Sequence, residues 1–197
     1  MAEPAPRGIT SADLEAVPAP LVAEILDGVL ETHPRPRHAM AAGELAGELI
    51  PPFAPPFARG RGGPGGWVFM IEPELHFGPQ VVVPDLAGWR RGRLPAEPAT
   101  PFVETPPDWA CAILSPSKAR LDRGPKRRIY AEAGVAHLWL LDPADGELEA
   151  FALTEGRWLL VGTVRRGEMV ALAPYDAVPF PLDALFPLDA PAAPTET

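Results

Sequence analysis

The sequence predicts an α/β fold: a mixed β-sheet flanked by helices, closed by a C-terminal antiparallel meander. Three observations carry that prediction. First, Val81-Val82-Val83 and the WACAIL run over 109–114 are continuously apolar, as strands buried on both faces are. Second, a basic segment with helix signals joins WACAIL to the apolar run 136–142, and Gly134 is placed to cap it. A helical connection of this length lets the two flanking strands lie parallel. Third, Asp145-Gly146 turns into the segment 147–153, then 157–164 follows, and Arg165-Arg166-Gly167 leads into 168–172, the spacing of a meander.

Taken in order, residues 1–9 read as frayed, and Thr10-Ser11-Ala12-Asp13 carries the start signals of a short helix. In VAEILDGVLET (22–32) the central Asp27-Gly28 favours a tight turn between two short strands. Apolar Met40, Leu45, Leu49 and Ile50 recur at helical spacing, so a helix is expected from Arg37 to Ile50, ended by Pro51. The Pro/Gly segment 51–66, with Arg59 and Arg61, reads as a mobile loop. Strands are expected over 67–77 and 80–86, joined by Gly78-Pro79. Residues 92–107 read as irregular, 108–114 as a strand, and Gly124-Pro125 as a helix start with proline at its first position. One domain is expected over 10–186, with a disordered tail over 187–197.

Composition narrows the function classes. The net charge of −9 argues against a protein that coats DNA non-specifically, whose domain is ordinarily basic. The charge is uneven, however. Arg90, Arg91 and Arg93 form one basic group, and Lys118, Arg120, Arg123, Lys126, Arg127 and Arg128 form a second, interrupted by Asp122. Local fields steer polyanions, so either group is a candidate phosphate contact; a solvated helix or loop face is the competing reading. The single cysteine, Cys111, excludes an internal disulfide and a multi-thiolate zinc site. No run approaches the length of a membrane span, the N-terminus lacks a signal-peptide layout, and a cytoplasmic protein is expected. No two of the four histidines pair at metal-ligand spacing, although His38 follows Arg35 and Arg37 and is placed to approach a phosphate.

The chemistry-bearing candidates centre on Asp85, which follows a proline at the end of the Val-rich run. An acid in that position more often closes a turn, but Glu72 and Glu74 lie on the preceding predicted strand and share a face at a spacing of two. Hard oxygen ligands select Mg²⁺ or Mn²⁺, so Asp85 and Glu74 are the candidate metal ligands. Such an ion polarises a phosphodiester and activates water. Lys126 and Tyr130 are four residues apart and point the same way from a helix. A lysine there is suited to stabilising developing phosphate charge.

The segments VVVPDLAGW, PDWACAILSPS, LDRGPK, IYAEAGVAHLWLLDP and AEILDGVLE together resemble the Uma-two family, which is assigned to restriction endonucleases within the PD-(D/E)XK nuclease superfamily. The resemblance runs from about Thr10 to Phe186 and implies a restriction-endonuclease-like core, a divalent metal and hydrolysis of DNA phosphodiesters. By the same resemblance Asp85 is the metal-binding Asp, Glu24 the upstream catalytic Glu, and Lys126 and Tyr130 the Lys and Tyr of the helix after the SPS segment. Arg90, Arg91, Arg120, Arg123 and Tyr130 become candidate substrate contacts. A homodimer is expected of the class, since two copies about a twofold axis suit the two strands of a duplex. One position departs from the pattern. Ala112 stands where the family places its second catalytic carboxylate; Leu114, where the superfamily places a lysine, resembles the family's own departure, with Lys126 as the candidate replacement. Three accounts remain open: a nuclease fold that binds without cutting, a second carboxylate supplied by Glu24, Glu72 or Glu74, or a substitution introduced at position 112. A weaker reading is a scaffold that dimerises through apolar surface around Trp89, Trp109 and Trp158.

Overall fold

The computed structural model describes residues 9–18, 21–34, 39–54, 64–94, 96–116 and 118–188. The expectations for residues 1–8, Arg35, Arg37, His38, Arg59, Arg61, Ser117 and 189–197 lie outside the described residues. The fold is the α/β arrangement predicted, built on two sheets. A six-stranded mixed sheet has the order β10-β9-β8-β7-β6-β3, and a four-stranded sheet the order β2-β1-β5-β4. The first comprises β3 (Trp67–Ile71), β6 (Leu86–Arg90), β7 (Trp109–Ile113), β8 (His137–Asp142), β9 (Glu147–Thr154) and β10 (Arg157–Arg165). The second comprises β1 (Leu21–Leu26), β2 (Val29–Pro34), β4 (Leu75–Phe77) and β5 (Gln80–Val82). A short α1 (Ser11–Glu15) precedes β1, and α2 (Ala39–Phe53) follows β2.

Two strands expected to be continuous are each cut in two. Residues 67–77 divide into β3 and β4, and the strand expected over 80–86 ends as β5 at Val82 and resumes as β6 from Leu86 to Arg90, with β3 paired to β6 and β4 to β5. One hairpin therefore spans both sheets. The physical reason is proline: Pro73 and Pro84 lack the N–H that a ladder requires, and both lie in the breaks. Glu72 adopts φ 47° there, so Glu72 and Glu74 do not share a strand face as expected. The Glu72 N–H donates to the Asp85 carbonyl at 3.0 Å, tying the two breaks at one level.

The basic connection lies between β7 and β8, which are parallel as predicted. It begins earlier than Gly124-Pro125. Helix α3 (Ala119–Leu121) leads into a π-helical turn over Asp122–Lys126 and then α4 (Arg127–Ala133), capped by Gly134 at φ 80°. Gly124 takes a non-helical conformation (φ −111°, ψ −105°) and Pro125 withholds an N–H, so the pair marks a kink and not a start.

Two further expectations are corrected. Helix α2 continues through Pro51 and Pro52 to Phe53. The buried Leu49 and Phe53 hold that last turn, Phe53 packing 4.8 Å from the Tyr175 ring. The third segment of the meander does not extend the large sheet. Met169–Val170 (β11) pairs instead with Phe180–Pro181 (β12), ahead of a 3₁₀ turn over Leu182–Leu185. Leu172 folds back over Gly162, where a β-carbon would come within 2.5 Å of its side chain.

Strand β7 is buried on both faces, and its alternation divides the core. Trp109, Cys111 and Ile113 join α2, Trp67, Trp139 and Tyr175 in one apolar cluster. Ala110, Ala112 and Leu114 face Ile129 and Tyr130 of α4 in the other, together with Trp89, Leu138 and Leu140. Trp89 and Trp109 are wholly buried, and Trp158 is half-buried with its indole N–H on the Arg127 carbonyl at 2.7 Å. Trp89 and Trp109 are interior residues and offer no apolar surface, whereas the half-buried Trp158 is followed by the exposed Leu159, Leu160 and Val161.

Candidate functional site

The candidate site lies on the α4 face of the large sheet, where β1, the β5–β6 break and the kinked helix meet. Strand β1 alternates, so Glu24 shares the side of Leu26, which packs into the α4 cluster. The kink carries Lys126 inward. Its ammonium lies 2.9 Å from Glu24 Oε1 and 3.0 Å from Asp122 Oδ1, and it donates to the Val83 carbonyl at 3.3 Å. An ammonium has three N–H donors, and these acceptors account for all three. Glu24 Oε1 also accepts the Val83 N–H at 2.6 Å.

Asp85 stands in the break, just before the last β6–β7 pair, Leu86–Cys111, and is held by the two β7 residues that flank Ala112. Its N–H donates to the Cys111 carbonyl at 3.0 Å, and its Oδ2 accepts the Ile113 N–H at 2.7 Å. It therefore closes the strand turn, the ordinary work of such an acid. Lys118, just past β7, completes the group. Relative exposures of 1% for Glu24, 9% for Asp85, 3% for Asp122, 8% for Lys118 and 2% for Lys126 show five charged residues withdrawn from solvent.

The electrostatics follow from that burial. Desolvation pushes the Asp85 carboxyl up from its ordinary range, against the Ile113 hydrogen bond and the Lys126 and Lys118 charges that pull it down. Desolvation disfavours the Lys126 ammonium, but Glu24 and Asp122 outweigh it and hold that pKa well above normal. Lys118 is lowered by burial and by the Lys126 charge, with Asp85, Glu24 and Asp122 acting the other way. Tyr130 is buried, its phenol is pushed up by desolvation, and its hydroxyl has no hydrogen-bond partner. It packs in the core and does not present itself to a substrate.

The structure thus brings together Asp85, Glu24, Lys126 and Tyr130 but leaves the other sequence-predicted residues elsewhere. Glu74 accepts from His76 Nε2 at 2.6 Å and lines a cleft of about 310 Å³ with Glu72, Val83 and Phe102, a cleft that Asp85 does not line. Phe102 stacks on His76 at 4.0 Å between ring centroids. Arg90 ends the strand that Asp85 precedes, five residues on, or about 17 Å at strand rise. The Arg90 guanidinium covers Trp67 at 4.2 Å, and Arg91 is exposed beyond it. The first basic group does not flank Asp85.

Of the second basic group, Arg123 pairs with Glu149 and lies 3.8 Å from Asp142, Arg127 covers Phe151, and Arg128 pairs with Asp27 and Glu132. Arg120 is exposed on α3. Most of this charge run holds the protein together. Asp122 and Lys118 are the site members that sequence reasoning passed over. The four-residue spacing of Asp122 and Lys126 was the available signal for the first. Lys118 carried none beyond its place in the run.

The donor set does not fit a divalent metal. Glu24 and Asp122 both serve Lys126, Ala112, between the two β7 residues that hold Asp85, carries only a methyl, and the described residues hold no group of three His, Cys, Asp or Glu side chains placed for a metal ion. Mg²⁺ gives up its waters reluctantly and requires carboxylate or phosphate oxygens in return.

A profile of the Uma2 family, described as "Putative restriction endonuclease", matches residues 12–177, and the chain belongs to that family. Among solved structures, the chain is similar to "a putative nuclease belonging to DUF820" from Anabaena variabilis ATCC 29413. That likeness has a TM-score of 0.69 at 19% identity and covers 91% of this chain and 98% of the other, a similarity of fold. No protein with a curated description matches the chain.

Proposed function

We propose that this protein is a nuclease-fold module that engages DNA without metal-assisted hydrolysis of its phosphodiesters. The observation that carries the reading is Lys126 held between Glu24 and Asp122, the two other acids of the cluster, with Ala112 the residue between the two that hold Asp85. A methyl supplies no oxygen to a cation, and Lys126 has no N–H left for a phosphate. Support for DNA as the partner comes from family membership, with the exposed Arg91 and Arg120 and the more distant Arg90 as candidate phosphate contacts. Action as a homodimer in the cytoplasm belongs to the same reading. Among the described residues no helix is long and apolar enough to cross a membrane.

The second reading is a Mg²⁺- or Mn²⁺-dependent endonuclease with Asp85, Glu24 and Lys126 as catalytic residues and Glu74 completing the metal shell. Family membership favours it. Supercoiled plasmid with Mg²⁺ or Mn²⁺, read for nicking and for a mobility shift at low salt, separates the two. The proposal expects a shift and no nicking. Metal-dependent nicking that Asp85→Asn abolishes establishes the endonuclease instead, and a missing shift removes DNA as the partner.

A further inference from the structure

The β9–β10 hairpin ends the six-stranded sheet on an apolar edge. Strand β10 is the last in the order β10-β9-β8-β7-β6-β3, and among the described residues it pairs with β9 alone. Leu159, Leu160 and Val161 at its centre are 57%, 50% and 43% exposed, and the other exposed large apolar residues of the described chain stand singly. A sheet edge presents a row of backbone donors and acceptors, which folds ordinarily guard with charge, proline or a bulge. Here the charges stand only at the strand ends, Arg157 and Arg165. The bulge falls at Val161, inside the apolar run, and leaves that residue without a partner in β9.

Two features indicate what covers this edge. The first is that the apolar side chains point both ways. Leu160 pairs with Phe151 and so lies on the α4 face with Trp158, whereas Leu159 lies on the α2 face. A partner resting on one face of the sheet reaches only one of them. A strand added alongside β10 sets its own side chains beside both. The second feature is that the charges are self-complementary. One antiparallel register with a second copy sets residues 159–161 against 159–161, so that Leu160 falls on a twofold axis and Leu159 lies opposite Val161 of the second copy. The same register puts Arg157 across from Thr163 and brings Glu155, at the hairpin tip, level with Arg165, twice over by symmetry. Arg165 lies 2.9 Å from Glu147 of its own chain with its side chain 70% exposed, which leaves it open toward the second copy. A parallel in-register pairing instead sets Arg157 on Arg157 and Arg165 on Arg165, like charges that repel.

We propose that β10 is a self-association surface: two copies join antiparallel along this edge about a twofold axis at Leu160, which merges their six-stranded sheets into one. The interface gives a place to the homodimer of the proposed function and rests on that reading only for the expectation of two copies. Oligomeric state measured without DNA distinguishes its failure from a failure of DNA binding.

The experiment is sedimentation velocity without DNA on the unaltered chain, Leu160→Lys, Glu155→Arg, Arg165→Glu and the double charge exchange, with circular dichroism checking the fold of each. The unaltered chain is expected to be a dimer at about 100 µM, and Leu160→Lys to weaken that dimer about tenfold or more. Each single charge change is expected to weaken it by less, and Glu155→Arg combined with Arg165→Glu to recover the loss. A monomeric unaltered chain overturns the proposal and leaves the edge to a strand of another protein. A dimer indifferent to Leu160→Lys overturns it as well, as does a double exchange that recovers nothing. If Leu160→Lys loses its fold, Leu160→Thr, which keeps a strand-forming residue, is read by the same criterion.

Discussion

The two faces of the six-stranded sheet receive alternate β7 side chains and use them for different purposes. Toward α2, Trp109, Cys111 and Ile113 enter a close aromatic cluster in which Trp109 meets Trp139 at 5.4 Å and Tyr175 at 5.0 Å between centroids. Toward α4, the same strand shows Ala110 and Ala112, and the space beside these small residues is bordered by five buried charges. Desolvating charge opposes folding unless every ion is matched, so the α2 face supplies stability and the α4 face consumes part of it. That division marks the α4 face as the one shaped by chemistry, in this chain or in the family from which its fold comes.

The largest test of the contrast is Lys126→Met. It leaves Glu24 and Asp122 buried without their counter-ion and is expected to cost about 3–5 kcal/mol in urea unfolding. Adding Glu24→Gln and Asp122→Asn recovers much of that loss if the charges oppose folding as described. On the other face, Leu49→Ala, which is wholly buried, is expected to cost about 2–5 kcal/mol through lost transfer energy and a cavity, with no dependence on pH. A pH-dependent loss there breaks the comparison.

Titration sharpens it further. The Lys126 pKa is raised in the folded state, so its contribution is complete below the ordinary value of 10.5 and is lost as pH rises through the folded value. Asp85 is an acid whose folded pKa is raised, so the folded state prefers it protonated. Its effect is most favourable below the ordinary 3.8 and fades as pH rises through the folded value. Asp85→Asn keeps an oxygen for the Ile113 N–H and is expected to remove that acid-side fall from the stability curve, seen by thermal melts across the acid range. The smallest effect belongs to the exposed Arg128–Asp27 pair. Arg128→Ala is expected to change stability slightly, less at high salt, and only above the lowered Asp27 pKa where the carboxylate is charged.

Much of this architecture was legible in the sequence because its signals are local. Asp27-Gly28 turns β1 into β2, Gly134 caps α4 in the left-handed region, and the unbroken WACAI run announces a strand buried on both sides. Where local signals competed, reading them singly misled. Pro73 and Pro84 cut two strands at one level, and Pro51 failed to stop α2 because tertiary packing of Leu49 and Phe53 outweighed it. The site was legible as residue types but not as partnerships. Glu24 and Lys126 stand far apart in sequence, and only the folded chain shows that each satisfies the other. The basic run looked like a phosphate surface, yet Arg123, Arg127 and Arg128 are engaged with Glu149, Phe151 and Asp27. Charge sign is written in sequence; the groups that absorb it are not.

In the proposed reading the cluster of Glu24, Lys126 and Asp122 is closed to a divalent ion. Its most direct test is diffraction from crystals of the unaltered chain soaked in Mn²⁺, with data collected for the anomalous signal of manganese. The expected result is no anomalous peak at the cluster and the Lys126 ammonium between the Glu24 and Asp122 carboxylates. A manganese peak ligated by Asp85, with Lys126 displaced, contradicts it.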